Sequence, residues 1–294
     1  MAESIGGQAV IEGVMMRNKN ILAVAVRNEK GKIILKKEKI KTYYAQKIPF
    51  VRGIIAFFQT LSIGIKTLTY SSNIALGEDE QFDSKEIIGI IALSLLFVIS
   101  FFVLVPYIIT SVIGFNETTQ PVLFNVVDSV IKIVFFLIYV VVIGSLKDVK
   151  RVFQYHGAEH KVVNCYEAGK KLTVQNVKKY STIHARCGTS FIMLVLVVGI
   201  VLFTFIAPIV LYFFPVIGEL SLVVQKMIFF TVRILFLLPI ASISYEILKL
   251  TGAHKENMFL HTINYPGMLF QKLTTQEPDN KQIEVAIVAL EKVL

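Results

Sequence analysis

Residues 87–115 read IIGIIALSLLFVISFFVLVPYIITSVIGF, without a single charge. A helix needs about 20 apolar residues to cross the ~30 Å hydrocarbon core of a bilayer, and this run exceeds that length. Three more runs follow: 122–146 carries only Asp128 and Lys132, 188–218 carries no charge, and 227–248 carries Arg233 and Glu246. The chain is 54% hydrophobic and 17% charged, with its apolar residues gathered into these runs, so it reads as an integral membrane protein of four spans.

The basic residues set the expected orientation. Residues 1–86 hold 13 Lys and Arg, 147–188 hold 9 and 249–294 hold 5, while the connections 113–121 and 215–225 hold none. The positive-inside rule then places both termini and the central loop in the cytoplasm. Met1 to Gly7 has neither a basic flank nor an apolar core, so no cleavable signal is expected and the first span directs insertion. The net charge of +9 fits this topology and anionic lipid headgroups better than nucleic acid, a ribosomal surface being the exception kept open.

The soluble portions divide by pattern. Residues 1–47 form a basic β unit: an apolar-polar segment from Gln8 to Arg17, a strand from Ile21 to Arg27, the turn Asn28-Glu29-Lys30-Gly31, and a strand from Lys32 to Ile40. Residues 48–76 form an amphipathic helix, with Arg52, Gln59 and Lys66 interrupting an apolar surface. If it spanned, the Lys-rich hairpin would move outside, so it is expected in the membrane interface. An acidic linker, 77–86, leads into the first pair of spans, 87–146. The cytoplasmic loop 147–188 opens with a helix from Lys147 to Glu167 that stops at Gly169, and its residues 170–183 form a basic connection or short helix. The last pair of spans is 189–250. The tail, 251–294, holds Pro266-Gly267 and ends in a helix capped by Asp279 or Asn280, with the apolar stripe Ile283, Ile287 and Leu290. The expected fold is mainly α: a four-helix transmembrane bundle with a small cytoplasmic α+β portion that includes the N-terminal β-hairpin and the interfacial helix.

The chemistry concentrates in His156-Gly157-Ala158-Glu159-His160-Lys161. On a helix both imidazoles leave one face, the arrangement a divalent metal requires. The stretch also fits H-x-x-E-H, in which two His bind Zn²⁺ and the Glu activates a water. Cys165 and Cys187 lie in the same loop, where cytoplasmic thiols stay reduced, so a metal or a small core residue is expected in place of a disulfide. A closed site would use His156, His160, His184 and Cys187, with Cys165 as substitute. A catalytic site would keep His156 and His160, take Glu167 or His184 as third ligand, and use Glu159 as general base. The bland alternative is a His pair that bonds lipid phosphate or caps the membrane end of the helix. Gln8, Glu12 and Arg17 either face the same site or form a solvated strand face.

Several long motifs carry a resemblance. GGQAVIEGVMMR from Gly6 to Arg17, HGAEHK from His156, CYEAG from Cys165 to Gly169, RCGTSF from Arg186 to Phe191, and LTTQEPD from Leu273 to Asp279 together resemble the YqhQ-like family of bacterial multi-pass membrane proteins. The resemblance covers nearly the whole chain and implies a bacterial inner-membrane location and a metal-dependent enzyme, without naming a substrate. Members usually read HPRCGT where this chain has His184-Ala185-Arg186-Cys187-Gly188-Thr189. The departure keeps His184 and Cys187, whereas His254 and His261 fall in a segment that matches the family less well.

Charges inside the spans are costly and require partners. Counting about 1.5 Å per residue from the outer ends, Asp128 and Lys132 lie at roughly 9 and 15 Å, a depth that Lys226 and Arg233 bracket. Asp128 is expected to pair with Lys226 or Arg233. Two function classes follow: a membrane-surface hydrolase using zinc or another divalent transition metal on a lipid-linked or peptide substrate, or a non-catalytic factor whose basic face docks a translocon, ribosome or envelope-synthesis complex.

Overall fold

The computed structural model describes residues 5–41, 44–76, 84–117, 119–253 and 257–294. Most of the acidic linker and His254 lie outside the described residues, as does the side chain of His261. Four strands open the chain: β1 (Ile5–Val10), β2 (Gly13–Asn18), β3 (Ile21–Arg27) and β4 (Ile33–Lys39), paired antiparallel in the order β1-β2-β3-β4. The expected single segment from Gln8 to Arg17 is therefore two strands. Its register places Val10 opposite Gly13, so Ile11 and Glu12 make a two-residue turn, with Glu12 at φ 49°. The αL conformation this turn demands is carried by a residue other than glycine.

Both faces of the sheet are buried, which is why β3 reads ILAVAV without polar alternation. On one face Val14, Met16, Ala23 and Ala25 pack against α5 (Lys147–Glu167) and α10 (Asn280–Glu291). On the other, Met15, Leu22, Val24 and Val26 pack against Ile63, Tyr70 and Ile74 of α1 (Val51–Leu76). The start of α1 turns onto α8 (Leu222–Ala253): Phe50, at φ 64°, donates its N–H to Glu246 and accepts from Ser242 through its carbonyl, and Arg52 pairs with Glu246.

The apolar runs become α2 (Ser84–Ile99), which passes through a π turn at Ser100–Leu104 into α3 (Val105–Val112), then α4 (Pro121–Gly144), α7 (Gly188–Phe213) and α8. Pro106 lacks an N–H, and the π turn just before it absorbs the break in the helical ladder. By length and composition five helices among the described residues could cross a membrane: Val51–Leu76, Lys85–Val112, Pro121–Gly144, Gly188–Phe213 and Leu222–Thr251.

The tail also holds a helix that the sequence reading did not assign. Pro266-Gly267 lies inside α9 (Met258–Thr274), and Gly267 is needed there because a Cβ would stand 2.7 Å from that of Ser190 on α7. After α9 the chain crosses α5 as an extended strap, 275–279, and enters α10 through a capping box of Asp279 and Gln282. A short helix, α6 (Val174–Val177), punctuates the loop between α5 and α7.

Candidate metal centre

The middle of α5 is held between the strap and the loop that follows α6. Gly157 permits this, since a Cβ there would lie 2.0 Å from the carbonyl oxygen of Gln276. Gln276 donates its N–H to the Phe153 carbonyl at 2.9 Å. On the loop side, the buried Lys161 ammonium donates to the carbonyls of Lys178 and Tyr180 and pairs with Glu277, and the Asn164 amide donates to Ser181 and Ile183.

These anchors aim two backbone carbonyls at two imidazoles. His156 Nδ1 lies 2.8 Å from the Thr274 oxygen and His160 Nδ1 lies 2.5 Å from the Thr182 oxygen. A carbonyl only accepts, so each ring carries its proton on Nδ1 and presents a lone pair at Nε2. The two rings are 4.4 Å apart, centroid to centroid. Cys187, the N-cap of α7, completes the group: its Sγ is 3.2 Å from His156 Nε2 and accepts the Thr189 N–H.

One nitrogen or sulfur from each of His156, His160 and Cys187 lies within 4.8 Å of the others. Ligand atoms around a tetrahedral zinc stand roughly 3.3–3.8 Å apart, as follows from bonds of about 2.0–2.3 Å. The group is therefore close to a ligand set, and His160 Nε2 is a buried acceptor with no hydrogen-bond partner among the described residues. A buried polar atom of this kind requires a partner of some sort. His160 is 2% exposed and Cys187 6%. Burial also lowers the His160 pKa, which favours the neutral ring that a cation needs.

The other candidate residues are placed elsewhere. His184 Nε2 points to Glu167 at 3.4 Å, and Glu167 is paired with Arg186, so neither joins the three-residue group. The His184 backbone is fixed by Gln271 of α9, which accepts its N–H and donates to its carbonyl and to the Ser190 hydroxyl. Cys165 is packed in the core between α5 and the sheet, where burial raises its thiol pKa. The Glu159 carboxyl meets β1, where Gly7 leaves room for it and supplies an N–H. Burial pushes Glu159 up to about 7, opposed by His156 and by the Gly7 bond.

Gln8, Glu12 and Arg17 do not face the His pair. The Gln8 amide lies against Gly64 of α1, and Arg17 donates to Gln59 and to the Lys19 carbonyl. Glu12 forms a two-toothed pair with Arg151 and accepts from the Tyr155 hydroxyl, in a cleft of about 390 Å³ that also reaches Arg27 and Asp279. Burial and the Glu12 carboxylate hold the Tyr155 hydroxyl above its ordinary pKa.

Within the apolar helices the charges pair differently from the sequence expectation. Asp128 takes Lys132 one turn along α4 at 2.5 Å, while Arg233 reaches Glu117 at 2.8 Å and Asn125 at 2.7 Å. Lys226 lies 5.0 Å from the centre of the Tyr107 ring. Glu117, in the connection 113–121, was missed as a partner because its pairing with Arg233 of α8 has no local sequence signature. The carbonyls of Thr274 and Thr182 were missed because backbone groups carry no residue-type signal.

A family model described as "Protein of unknown function (DUF1385)" matches residues 48–294. A protein of Bacillus subtilis (strain 168) described as "Uncharacterized protein YqhQ" is 34% identical over 316 aligned positions, covering 98% of this chain and 92% of that protein. No solved structure matches.

Proposed function

This chain belongs to the DUF1385 family, and we propose that it is a multi-pass protein of the bacterial inner membrane bearing a metal centre at the cytoplasmic surface, where it acts as a hydrolase. The observation that carries the reading is the convergence of His156, His160 and Cys187 with both Nδ1 atoms held by backbone carbonyls.

Four helices span in this reading. Along α1, Gln59, Ile63, Lys66, Tyr70, Ser71 and Ile74 all touch the sheet. That leaves only the stretch before Gln59, about 12 Å of helix, which is far short of a ~30 Å core. Along α1 as a whole, the outward residues Phe57, Phe58, Leu61, Ile65 and Leu68 are exposed and apolar, which suits a helix lying in the interface beside anionic headgroups. Both termini and the 147–188 loop are cytoplasmic, in keeping with the basic residues there.

Structural zinc sites are almost always closed by four protein ligands, whereas catalytic sites keep three and leave one position for water. Three ligands converge here among the described residues. Zinc or a similar divalent transition ion would supply Lewis acidity and lower the pKa of its bound water. His156, His160 and Cys187 would hold the ion and the Thr274 and Thr182 carbonyls would orient the rings; Glu159, whose carboxyl lies against Gly7 of β1 and interacts with His156, is the base this reading assigns. The substrate class is a lipid-linked or peptide ester or amide presented at the membrane surface.

Metal content of the detergent-purified chain, beside a His156→Ala/His160→Ala variant, tests the centre. About one equivalent in the parent, lost in a folded variant, is expected. No metal in either after reconstitution would overturn it. Exposed Lys147, Lys150, Lys170, Lys171, Lys178 and Lys179 favour a second reading, a metal-stapled docking face for a translocon, ribosome or envelope-synthesis complex. Glu159→Gln separates the two: a hydrolase keeps its metal and loses turnover, whereas a docking factor is unaffected and fails when those lysines are neutralised.

A further inference from the structure

The ends of α3 and α8 farthest from the sheet enclose a second, smaller cavity of about 190 Å³. Its walls are Tyr107 and Ser111 of α3, Phe115, Asn116 and Glu117 of the following connection, and Leu222, Gln225, Lys226 and Phe229 of α8. We infer that this cavity holds the phosphate of a membrane phospholipid, with Lys226 as its cation. The inference rests on the membrane placement of these helices and not on the metal centre.

Charge balance selects an anion. Glu117 is matched by Arg233, and Asp128 by Lys132, so each pair is neutral. Lys226 has no carboxylate within ion-pair distance among the described residues; its ammonium rests over the Tyr107 ring. A cation that faces an aromatic ring at one side keeps its other donors for a ligand. Gln225 is not available to move away, because its amide ties down the turn that closes the cavity by donating to Gly218 and Leu220. The neighbouring interior is polar as well: Asp128 is 2% exposed and its Oδ1 has no hydrogen-bond partner among the described residues.

Size and surroundings select a lipid over a free solute. The cavity is smaller than the ~300–1,000 Å³ of ordinary small-molecule sites. It accepts a phosphate and glycerol while the acyl chains stay outside. Next in sequence to the lining residues Tyr107, Ser111 and Leu222, the exposed apolar residues Ile108, Val112 and Val223 are where those chains would lie. Phe115, Leu222 and Phe229 supply an apolar wall for the glycerol carbons.

The test is native mass spectrometry of the full chain, titrated in detergent with phosphatidylglycerol, with inorganic phosphate as competitor. Lys226 is exposed, so Lys226→Gln removes the charge without disturbing a core. Ser111→Asp, also exposed, leaves Lys226 in place and adds a repelling carboxylate. Both should weaken the tightest phosphatidylglycerol adduct at least tenfold, Lys226→Arg should restore most of it, and Lys30→Gln on the distant β turn should change nothing. Unchanged binding in Lys226→Gln and Ser111→Asp would overturn the inference. So would displacement of the lipid by equimolar inorganic phosphate, since that would mark a site for the free anion.

Discussion

Gly157→Ala should destabilise this protein although it replaces the poorest ordinary helix former with the best. In an unencumbered helix the exchange favours folding by about 1 kcal/mol. At position 157 the new methyl would stand 2.0 Å from the Gln276 carbonyl oxygen, so strap and helix must separate by more than 1 Å. Overpacking of this kind costs about 1–3 kcal/mol. The movement also takes the Gln276 N–H from the Phe153 carbonyl, a loss of about 1–2 kcal/mol. The net expectation is a loss of about 1–4 kcal/mol, read by thermal unfolding in detergent. Because the Thr274 carbonyl that orients His156 immediately precedes the strap, zinc affinity should fall about 10- to 100-fold, the usual consequence of losing an outer hydrogen bond to a ligand. Gly89→Ala is the control: beyond its chain neighbours and its own helix backbone nothing lies within 4 Å of its Cβ position, so no loss is expected. A Gly157→Ala protein as stable as the parent, with undiminished metal affinity, would refute the reasoning.

Two further perturbations probe the joints around the site. Gln271→Ala orphans the His184 N–H and carbonyl and the Ser190 hydroxyl, all buried; at about 1–3 kcal/mol for each unmet group, unfolding measurements should show a loss above about 3 kcal/mol. In the membrane unit, Asp128→Asn or Lys132→Met alone should lower the amount of folded protein, while the double variant recovers it, because a buried charge without its partner costs more than no charge at all; failure of the double variant to recover would count against a structural pair.

What could be read from the residues depended on how local the cause was. The apolar runs, the α5 boundary before Gly169, the β turn at Asn28 and the Asp279 cap all follow from neighbours in sequence, and each lies where the pattern put it. The break between β1 and β2 was hidden because a left-handed turn residue is normally Gly or Asn, and here it is Glu12, held by Arg151 from another element. Helix α9 was hidden because Pro266 and Gly267 are usually breakers; tertiary packing on Ser190 makes the glycine necessary and the helix continuous. Among the metal candidates the spacing of His156 and His160 was local and legible. Cys187 was named with them, but that His184 stays outside the converging group was not legible, since it depends on Glu167 and Arg186 beside its ring and on Gln271 fixing its backbone.

The placement of the three candidate ligands also says what an ion would do beyond chemistry. His156 and His160 belong to α5, which is packed on the sheet, and Cys187 begins α7, an apolar helix that α9 grips through Gly267 and Gln271. The group therefore forms only when the sheet unit and the membrane unit are docked. A ligand that binds only the assembled state stabilises it by an amount set by its concentration over its dissociation constant, about 2.7 kcal/mol at a hundredfold excess. Chelation should accordingly loosen the junction before it affects either unit: hydrogen exchange should rise in the strap and in 182–187, while α10 and the interior of α7 keep their protection. Uniform exchange changes across both units would mean that the ion, if bound, does not bridge them.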